Sequence, residues 1–271
     1  TGSSPAPASG TSLPATPEDP VPTTPGAPGP ALAARALGVW ATNCAVLGDR
    51  SRGEAVVVDP GQHGARDVPA LLDEVGLRPV AVLLTHGHLD HLWAAPELAR
   101  THGIPVLLHA EDRWLWDDPT AAFGPGGSAL AAQAGFGPWS TEGVEVREVR
   151  DGERLDLAGL RLDVHHTPGH TPGHVVYTTG DLAGAPMTLD GGALRADGDV
   201  LLAGDLLFAG SIGRTDLPGG DPTAMTRSLA ATMTRLADDV LVLPGHGPAT
   251  TVGRERAANP FLLGAGAGGA A

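Results

Sequence analysis

The stretch that decides the fold of this 271-residue chain is Thr85-His86-Gly87-His88-Leu89-Asp90-His91, which directly follows the apolar run 80–84. Three imidazoles and one carboxylate therefore stand close together at the end of an expected β-strand. Imidazole and carboxylate are ligands that borderline divalent metals such as zinc accept at neutral pH. Because no packing role requires so many titratable groups in one place, the stretch predicts a metal site.

Other segments place a histidine or an aspartate directly after an apolar run. They are the segments 167–174 (TPGHTPGH), 203–205 (AGD) and 244–247 (PGHG), and Asp59 follows the run 55–58 in the same way. Glycine and proline beside each candidate ligand are typical of tight turns that bring side chains from strand ends to one point. The sequence therefore predicts that His170, Asp205 and His246 join the first cluster as metal ligands.

The remaining histidines and the single cysteine have weaker contexts. We expect His174 to form a hydrogen bond within its turn rather than to bind metal. Cys44 lies outside every motif and is predicted to be a small buried residue, not a nucleophile. Histidines without a ligand motif are more often surface or structural residues, and this interpretation applies to His63, His102, His109, His165 and His166.

Composition and charge limit the class of protein. The formal net charge of −14 repels phosphate backbones and anionic lipid, so we expect neither nucleic acid nor a membrane as partner. Apolar runs are far shorter than the ~20 residues of a membrane span, which favours a cytoplasmic protein. We predict one domain at 33–263, preceded by a disordered tail rich in Pro, Ala, Ser and Thr at 1–32 and followed by a flexible Gly/Ala tail at 264–271. Nothing in the sequence indicates an oligomeric state.

Hydrophobic periodicity predicts an α+β fold. Helices are expected at 67–75, 90–101, 111–118 and 222–236. The stretch 119–139, rich in Gly, Ala and Pro, is predicted to be a long surface loop, which is often a lid. Strands followed by helices, twice over, favour two sheets packed face to face with helices outside. The strands are expected at 39–47, 55–58, 80–84, 104–109, 144–149, 161–165, 175–179, 200–203 and 240–243.

The chain resembles the metallo-β-lactamase superfamily, whose T-H-x-H-x-D-H signature matches 85–91 at every position. The likeness extends over roughly 33–263. Within that superfamily the chain looks like the compact bacterial members of the glyoxalase II (hydroxyacylglutathione hydrolase) group in the segments 167–174, 204–208, 211–216 and 244–247. The resemblance implies an αββα sandwich of two mixed β-sheets with helices on the outer faces and a two-metal site at one edge.

The resemblance also implies individual metal ligands. His86, His88 and His170 would bind one ion, Asp90, His91 and His246 the other, and Asp205 would bridge both. Two divalent ions roughly 3.5 to 4 Å apart can share a water and lower its pKa toward 7, which makes a bridging hydroxide the expected nucleophile. Asp90 is the expected catalytic residue, because it could orient that hydroxide or pass its proton. Zinc is the expected metal, although a mixed nitrogen and oxygen site without thiolate also accepts iron or manganese.

The predicted reaction is hydrolysis of a small-molecule thioester of the 2-hydroxyacyl thiol class. Arg214 stands where the resemblance implies a basic residue that contacts the thiol carrier, so it is a candidate for binding a substrate carboxylate. A salt bridge to a nearby acid is the alternative role. Asp216 replaces an expected tyrosine, and Gly247 follows His246 where another tyrosine would be expected. Another low-molecular-weight thiol is therefore an alternative to glutathione.

Two other activities of the same scaffold stay open. A persulfide dioxygenase binds one iron through two histidines and an aspartate, positions that match His86, His170 and Asp205. The presence of Asp90, His91 and His246 favours the hydrolase, because dioxygenases generally lack this complete second set. Another ester or lactone hydrolase of this fold is the remaining alternative, whereas a true β-lactamase would usually carry cysteine or serine at position 205.

Overall fold

The computed structural model describes the backbone of residues 28–265 and the side chains of residues 28–263. The predicted tails therefore fall largely outside the described residues, at 1–27 and 266–271. Regular structure already begins at Pro30 and continues to Ala265. Both of these residues lie beyond the expected domain limits of 33 and 263.

The described residues form short strands and helices, with a long run of consecutive strands between Val146 and Ile212. The strands are β1 (Pro30–Leu37), β2 (Thr42–Asp49), β3 (Glu54–Val58), β4 (Arg78–Leu83), β5 (Val106–His109), β6 (Val146–Val149), β7 (Arg154–Leu157), β8 (Leu160–His166), β9 (Val175–Thr179), β10 (Met187–Leu189), β11 (Gly192–Leu194), β12 (Val200–Gly204), β13 (Leu207–Phe208), β14 (Ser211–Ile212), β15 (Leu241–Pro244) and β16 (Thr250–Thr251). The α-helices are α1 (Gly64–Val75), α2 (Leu89–Leu92), α3 (Ala95–His102), α4 (Arg113–Asp117), α5 (Gly127–Gln133), α6 (Pro222–Arg235), α7 (Val252–Ala258) and α8 (Pro260–Ala265). Two 3-10 helices span Ala110–Asp112 and Ala121–Gly126.

Two mixed sheets form the centre of the fold. The first has the strand order β11-β10-β1-β2-β3-β4-β5-β6, and the second has the order β16-β15-β12-β9-β8-β7. In the first sheet β3, β4, β5 and β6 run parallel, whereas β2 is antiparallel to both β1 and β3. In the second sheet β12 and β15 are parallel, and β7, β8 and β9 are antiparallel. The short β13 and β14 form a separate ribbon.

Alternating side chains of each strand supply two different apolar layers. In β3, Val56 and Val58 enter the core between the sheets, while Val57 faces the layer that contains α1 and α3. In β12, Leu202 enters the central core and Leu201 packs toward α6 and α7. Because both faces of these strands are covered, they read as continuous apolar runs in the sequence. This four-layer arrangement of helix, sheet, sheet and helix confirms the predicted αββα architecture.

The stretch 119–139 differs from the expected loop. It contains the 3-10 helix Ala121–Gly126 and α5, and Phe136 is only 6% exposed. Phe136 packs against the rings of Trp40 and Trp93, with centroid distances of 5.3 and 4.7 Å. Alanine is the best helix former, and these aromatic contacts fasten the segment to the domain. The prediction of a structureless loop was therefore wrong.

Several other elements also differ from the sequence prediction. The helix expected at 90–101 is divided into α2 and α3. Strand β1, with the sequence PALAARAL, was not predicted, because its alanines give no clear strand signal. Its neighbour β2 supplies eight paired positions, and the tertiary pairing thus overrides the weak local preference.

Cys44 is fully buried in the outer apolar layer, as predicted. No helix among the described residues is long and apolar enough to cross a membrane.

Candidate metal centre

The predicted ligands meet at one edge of the two sheets because each follows the end of a strand. The segment 85–91 follows β4, His170 follows β8, Asp205 follows β12 and His246 follows β15. Asn43 of the first sheet holds the loop of His246, since its side-chain amide donates to the carbonyls of Pro244 and Gly247 at 3.0 and 2.8 Å. The structure thus brings together all seven predicted ligands from four separate parts of the chain.

Three imidazoles form the first group, which we call the first triad: His86, His88 and His170. The Nδ1 atom of His88 lies 3.1 Å from Nε2 of His86 and 2.8 Å from Nε2 of His170. The far nitrogen of His170, Nδ1, donates to the carbonyl of Arg214 at 2.7 Å. A neutral imidazole protonated there has a bare Nε2, so a lone pair of His170 points toward the centre of the triad.

The second triad consists of Asp90, His91 and His246. Nε2 of His246 lies 3.2 Å from Oδ2 of Asp90 and 3.3 Å from Nε2 of His91. The far nitrogens again have acceptors, because Nδ1 of His91 faces Asp59 at 3.0 Å and Nδ1 of His246 faces the carbonyl of Trp40 at 3.0 Å. Both Nε2 atoms are therefore free to accept a cation.

Asp205 lies between the two triads. Its Oδ1 is 3.4 Å from Nε2 of His91, and its Oδ2 is 3.3 Å from Nε2 of His170. The backbone passes so close that a Cβ at Gly245 would collide with Oδ1 of Asp205. Glycine at this position is required by packing, and the arrangement lets one carboxylate face both groups.

The two triads have opposite electrostatic character. Burial, reinforced by neighbouring imidazoles, lowers the pKa of His86 well below its usual value and that of His88 to about 3. Burial also disfavours charge on His91, but the carboxylates of Asp90, Asp205 and Asp59 outweigh it and raise the pKa of His91 well above its usual value. For Asp90, burial is outweighed by His91 and by the hydrogen bond from His246, which lowers its pKa to about 2. Charge is thus disfavoured on His86 and His88 of the first triad, whereas the second triad combines charges of both signs.

The donor set fits divalent metal ions. In the first triad, Nε2 of His86 and Nε2 of His170 lie 3.1 and 2.8 Å from Nδ1 of His88, so a cation placed there could accept a lone pair from each of the three rings. Oδ1 of Asp205 is buried and has no hydrogen-bond partner. Ligand atoms of each triad lie within 4.8 Å of one another, and the same holds for His86, His91 and Asp205. Nitrogen and oxygen donors at such spacing match the coordination of zinc, iron or manganese.

Two buried aspartates that were not predicted as site residues hold the ligand loops. Asp59 accepts hydrogen bonds from the backbone N–H and the hydroxyl of Thr85 at 2.8 and 2.7 Å, besides its contact with His91. Asp112 accepts from the N–H groups of Gly87 and Gly173 at 2.8 and 2.6 Å and from the hydroxyl of Thr171 at 2.6 Å. Asp112 therefore ties the loop of His86 and His88 to the loop of His170. The sequence signal for Asp59 was its position directly after a strand, whereas the sequence around Asp112 carries no such signal.

His174 lies beside the site without joining either triad. Its Nε2 accepts the backbone N–H of Asp205 at 3.0 Å, and its Nδ1 lies 2.8 Å from the hydroxyl of Thr167. Both ring nitrogens are thus used within the protein, in line with the expected hydrogen bond in the turn. His165 and His166 also have partners, the hydroxyl of Thr178 at 3.1 Å and the carbonyl of Pro172 at 2.7 Å.

A cavity of about 670 Å³ opens above the triads. Its floor is formed by side chains from both groups, including His88, Asp90 and His246. Arg214 lines the rim, where its guanidinium forms two hydrogen bonds of 2.7 Å with the carboxylate of Asp216. The structure therefore shows the salt bridge that was the alternative to substrate binding for Arg214.

Sequence relatives share the full extent of this domain. An uncharacterised protein of Mycobacterium leprae is 44% identical over 228 residues, which cover 84% of this chain and 96% of that protein. The hydroxyacylglutathione hydrolase GloC of Haemophilus influenzae is 32% identical over 225 residues, which cover 81% of this chain and 92% of that protein.

Solved structures show the same architecture. The B3 metallo-β-lactamase BLEG-1 superposes with a TM-score of 0.70 at 35% identity and covers 85% of this chain and 99% of its own. The protein TTHA1623, solved in a di-iron-bound form, has a TM-score of 0.64 at 36% identity and covers 84% of this chain and 98% of its own. The profile of the metallo-β-lactamase superfamily matches residues 37–182 and 193–246. The chain therefore belongs to the metallo-β-lactamase superfamily.

Proposed function

We propose that this protein is a binuclear metallohydrolase that cleaves a small-molecule thioester in the manner of glyoxalase II. The observation that carries the proposal is the complete pair of triads joined by Asp205. The name of the H. influenzae relative, hydroxyacylglutathione hydrolase, supports this reaction class. The di-iron form of TTHA1623 supports a two-metal centre.

Each triad would hold one divalent ion, and Asp205 would contact both. Zinc is the proposed metal, with iron and manganese as alternatives that the same donors accept. When bound, the two ions would lower the pKa of a water between them and polarise the substrate carbonyl. The far-nitrogen hydrogen bonds of His91, His170 and His246 fix each ring with its bare nitrogen toward the centre, as such partners do in metal sites.

Asp90 is the proposed catalytic residue. Its pKa is lowered to about 2, so the carboxylate is ionised at neutral pH and can bind a metal ion and accept a hydrogen bond from water. The hydroxyl of Thr42 donates to its Oδ2 at 2.9 Å and thereby fixes the orientation of the carboxylate. Asp90 lines the cavity, with its side chain 13% exposed, so a proton taken from water could be passed to the departing thiolate.

Elemental analysis combined with a thioester panel tests the proposal. We expect two divalent ions per chain and release of thiol at neutral pH from 2-hydroxyacyl thioesters, including S-lactoylglutathione. Chelation should abolish the activity, and re-addition of zinc, iron or manganese should restore it. A protein with two ions per chain that releases no thiol from the panel would contradict the proposal. One iron per chain together with oxygen uptake on a thiol persulfide would instead identify a persulfide dioxygenase.

A further inference from the structure

The cavity above the triads has one apolar side. Trp40, Phe123 and Leu130 line this side, and Leu217 and Pro218 lie among the other lining residues. Leu130 is 40% exposed, which is unusual for a large apolar side chain in this domain. An exposed apolar surface beside a set of convergent polar groups is typical of a small-molecule site.

The apolar side is fixed relative to the metal ligands. The ring of Phe123 packs on that of Trp40 at a centroid distance of 5.8 Å, and the carbonyl of Trp40 accepts the hydrogen bond from His246. Phe136 supports Trp40 from behind at 5.3 Å. The distance between the apolar surface and the reacting centre is therefore set by direct contacts.

The side chains that line the cavity provide little positive charge for binding an anionic substrate group. Among the described residues that line it, Arg214 is the one arginine or lysine, and the edge of its guanidinium formed by Nε and one terminal nitrogen is paired with Asp216 at 2.7 Å. The carboxylate of Asp216 lies beside that guanidinium, and the whole chain has a formal charge of −14. A substrate carboxylate that binds Arg214 would have to lie beside this like charge, which is unfavourable.

We propose that the substrate is an uncharged thioester that places a bulky apolar group against Trp40, Phe123 and Leu130. The inference rests on the proposed thioester hydrolase function and specifies the substrate class of the same site. The thioester carbonyl lies over the triads, and the apolar group extends toward α5. Arg214 and Asp216 together form a neutral pair, so thioesters with an additional carboxylate, S-lactoylglutathione included, are cleaved more slowly than uncharged thioesters.

Matched thioesters of the neutral thiol N-acetylcysteamine test this inference with the metal-loaded enzyme. We expect the phenylacetyl thioester to have a kcat/KM at least about tenfold above that of the succinyl thioester, which carries a carboxylate. Leu130→Gln should lower, several-fold, the ratio of kcat/KM for the phenylacetyl substrate to kcat/KM for the succinyl substrate. Leu263→Gln is the matched control, because Leu263 is 55% exposed and does not line the cavity. Asp216→Asn should free Arg214 and raise kcat/KM for the succinyl thioester.

The outcomes separate this inference from the function on which it rests. If neither these thioesters nor the 2-hydroxyacyl thioesters named under the proposed function are cleaved, the proposed function fails, and the inference fails with it. If thioesters are cleaved but the succinyl substrate equals or exceeds the phenylacetyl substrate, the inference is overturned and the hydrolase function stands. The same conclusion follows if Leu130→Gln and Leu263→Gln behave alike.

Discussion

The two triads lie side by side yet differ in composition, exposure and charge. The first triad consists of three imidazoles that are 0 to 4% exposed. In the second, the side chains of Asp90 and His246 are 13% and 28% exposed. A buried group of imidazoles is suited to holding an ion firmly, whereas an open group that contains a carboxylate is suited to meeting substrate and moving protons. For the proposed hydrolase, we therefore expect the second triad to take the larger part in the chemical step.

The largest expected effect comes from removing the carboxylate of the second triad. Asp90→Ala should reduce kcat/KM by at least about a hundredfold, because it removes both a proposed ligand and a proton acceptor. Circular dichroism should show a retained fold. The matched control is Asp117→Asn, an exposed aspartate paired only with Arg113, which should change little. Full activity in Asp90→Ala would contradict the catalytic role proposed for Asp90.

A smaller effect, on metal binding by the first triad alone, is expected from substitution of Asp112. Asp112→Asn replaces one acceptor oxygen by an N–H₂ group, so the N–H of Gly87 or Gly173 loses its partner. Loss of such supporting hydrogen bonds typically costs 10- to 100-fold, or about 1–3 kcal/mol, in metal affinity or activity. Competition with a chelator should show one ion released more readily than in the wild type.

Asp59 provides the comparison for Asp112, because it supports one histidine of each triad. It contacts His91 directly and reaches His86 through Thr85, whose hydroxyl lies 3.0 Å from Nδ1 of His86. Asp59 has a φ of 49°, a conformation that asparagine also tolerates, so Asp59→Asn keeps the backbone. Both ions should be released more readily. Loss of a single ion from Asp59→Asn, or of both from Asp112→Asn, would contradict this division of support.

The smallest expected effect is a difference in acid sensitivity between the triads. In the metal-free protein the pKa values of His91 and His246 are raised, so as pH falls, protons occupy these ligands first and compete with the metal. The pKa of His88 is lowered to about 3, so protons compete there only at much lower pH. Metal content after dialysis over a pH series should show stepwise release.

The variant His246→Ala, which removes a ligand of the second triad, identifies which ion leaves first. It should abolish the step at higher pH and keep the step at lower pH. Simultaneous release of both ions from the wild type would show that the triads do not differ in their competition with protons.

Much of the site was predictable because its strongest signal is local. His86, His88, Asp90 and His91 stand within one short loop, and periodicity placed a strand before it. The supporting contacts are not local: the bonds of Asp112 join residues 25 to 61 positions apart. A single buried aspartate in a helical stretch carries no sequence pattern that shows such partners.

The sequence by itself determined the reaction centre, because ligand type and spacing restrict which cations can bind and because apolar runs of strand length place those ligands at one sheet edge. Only the tertiary structure decided how the cavity around that centre is built. The helices within 119–139 are fastened to the domain by contacts between distant segments, such as the packing of Phe136 and Phe123 on Trp40. Arg214 and Asp216 are close in the sequence, but their pairing depends on side-chain conformations that the sequence pattern leaves open. The predicted ligands of the site are thus set largely by short-range spacing, and the shape of the cavity is set by long-range packing.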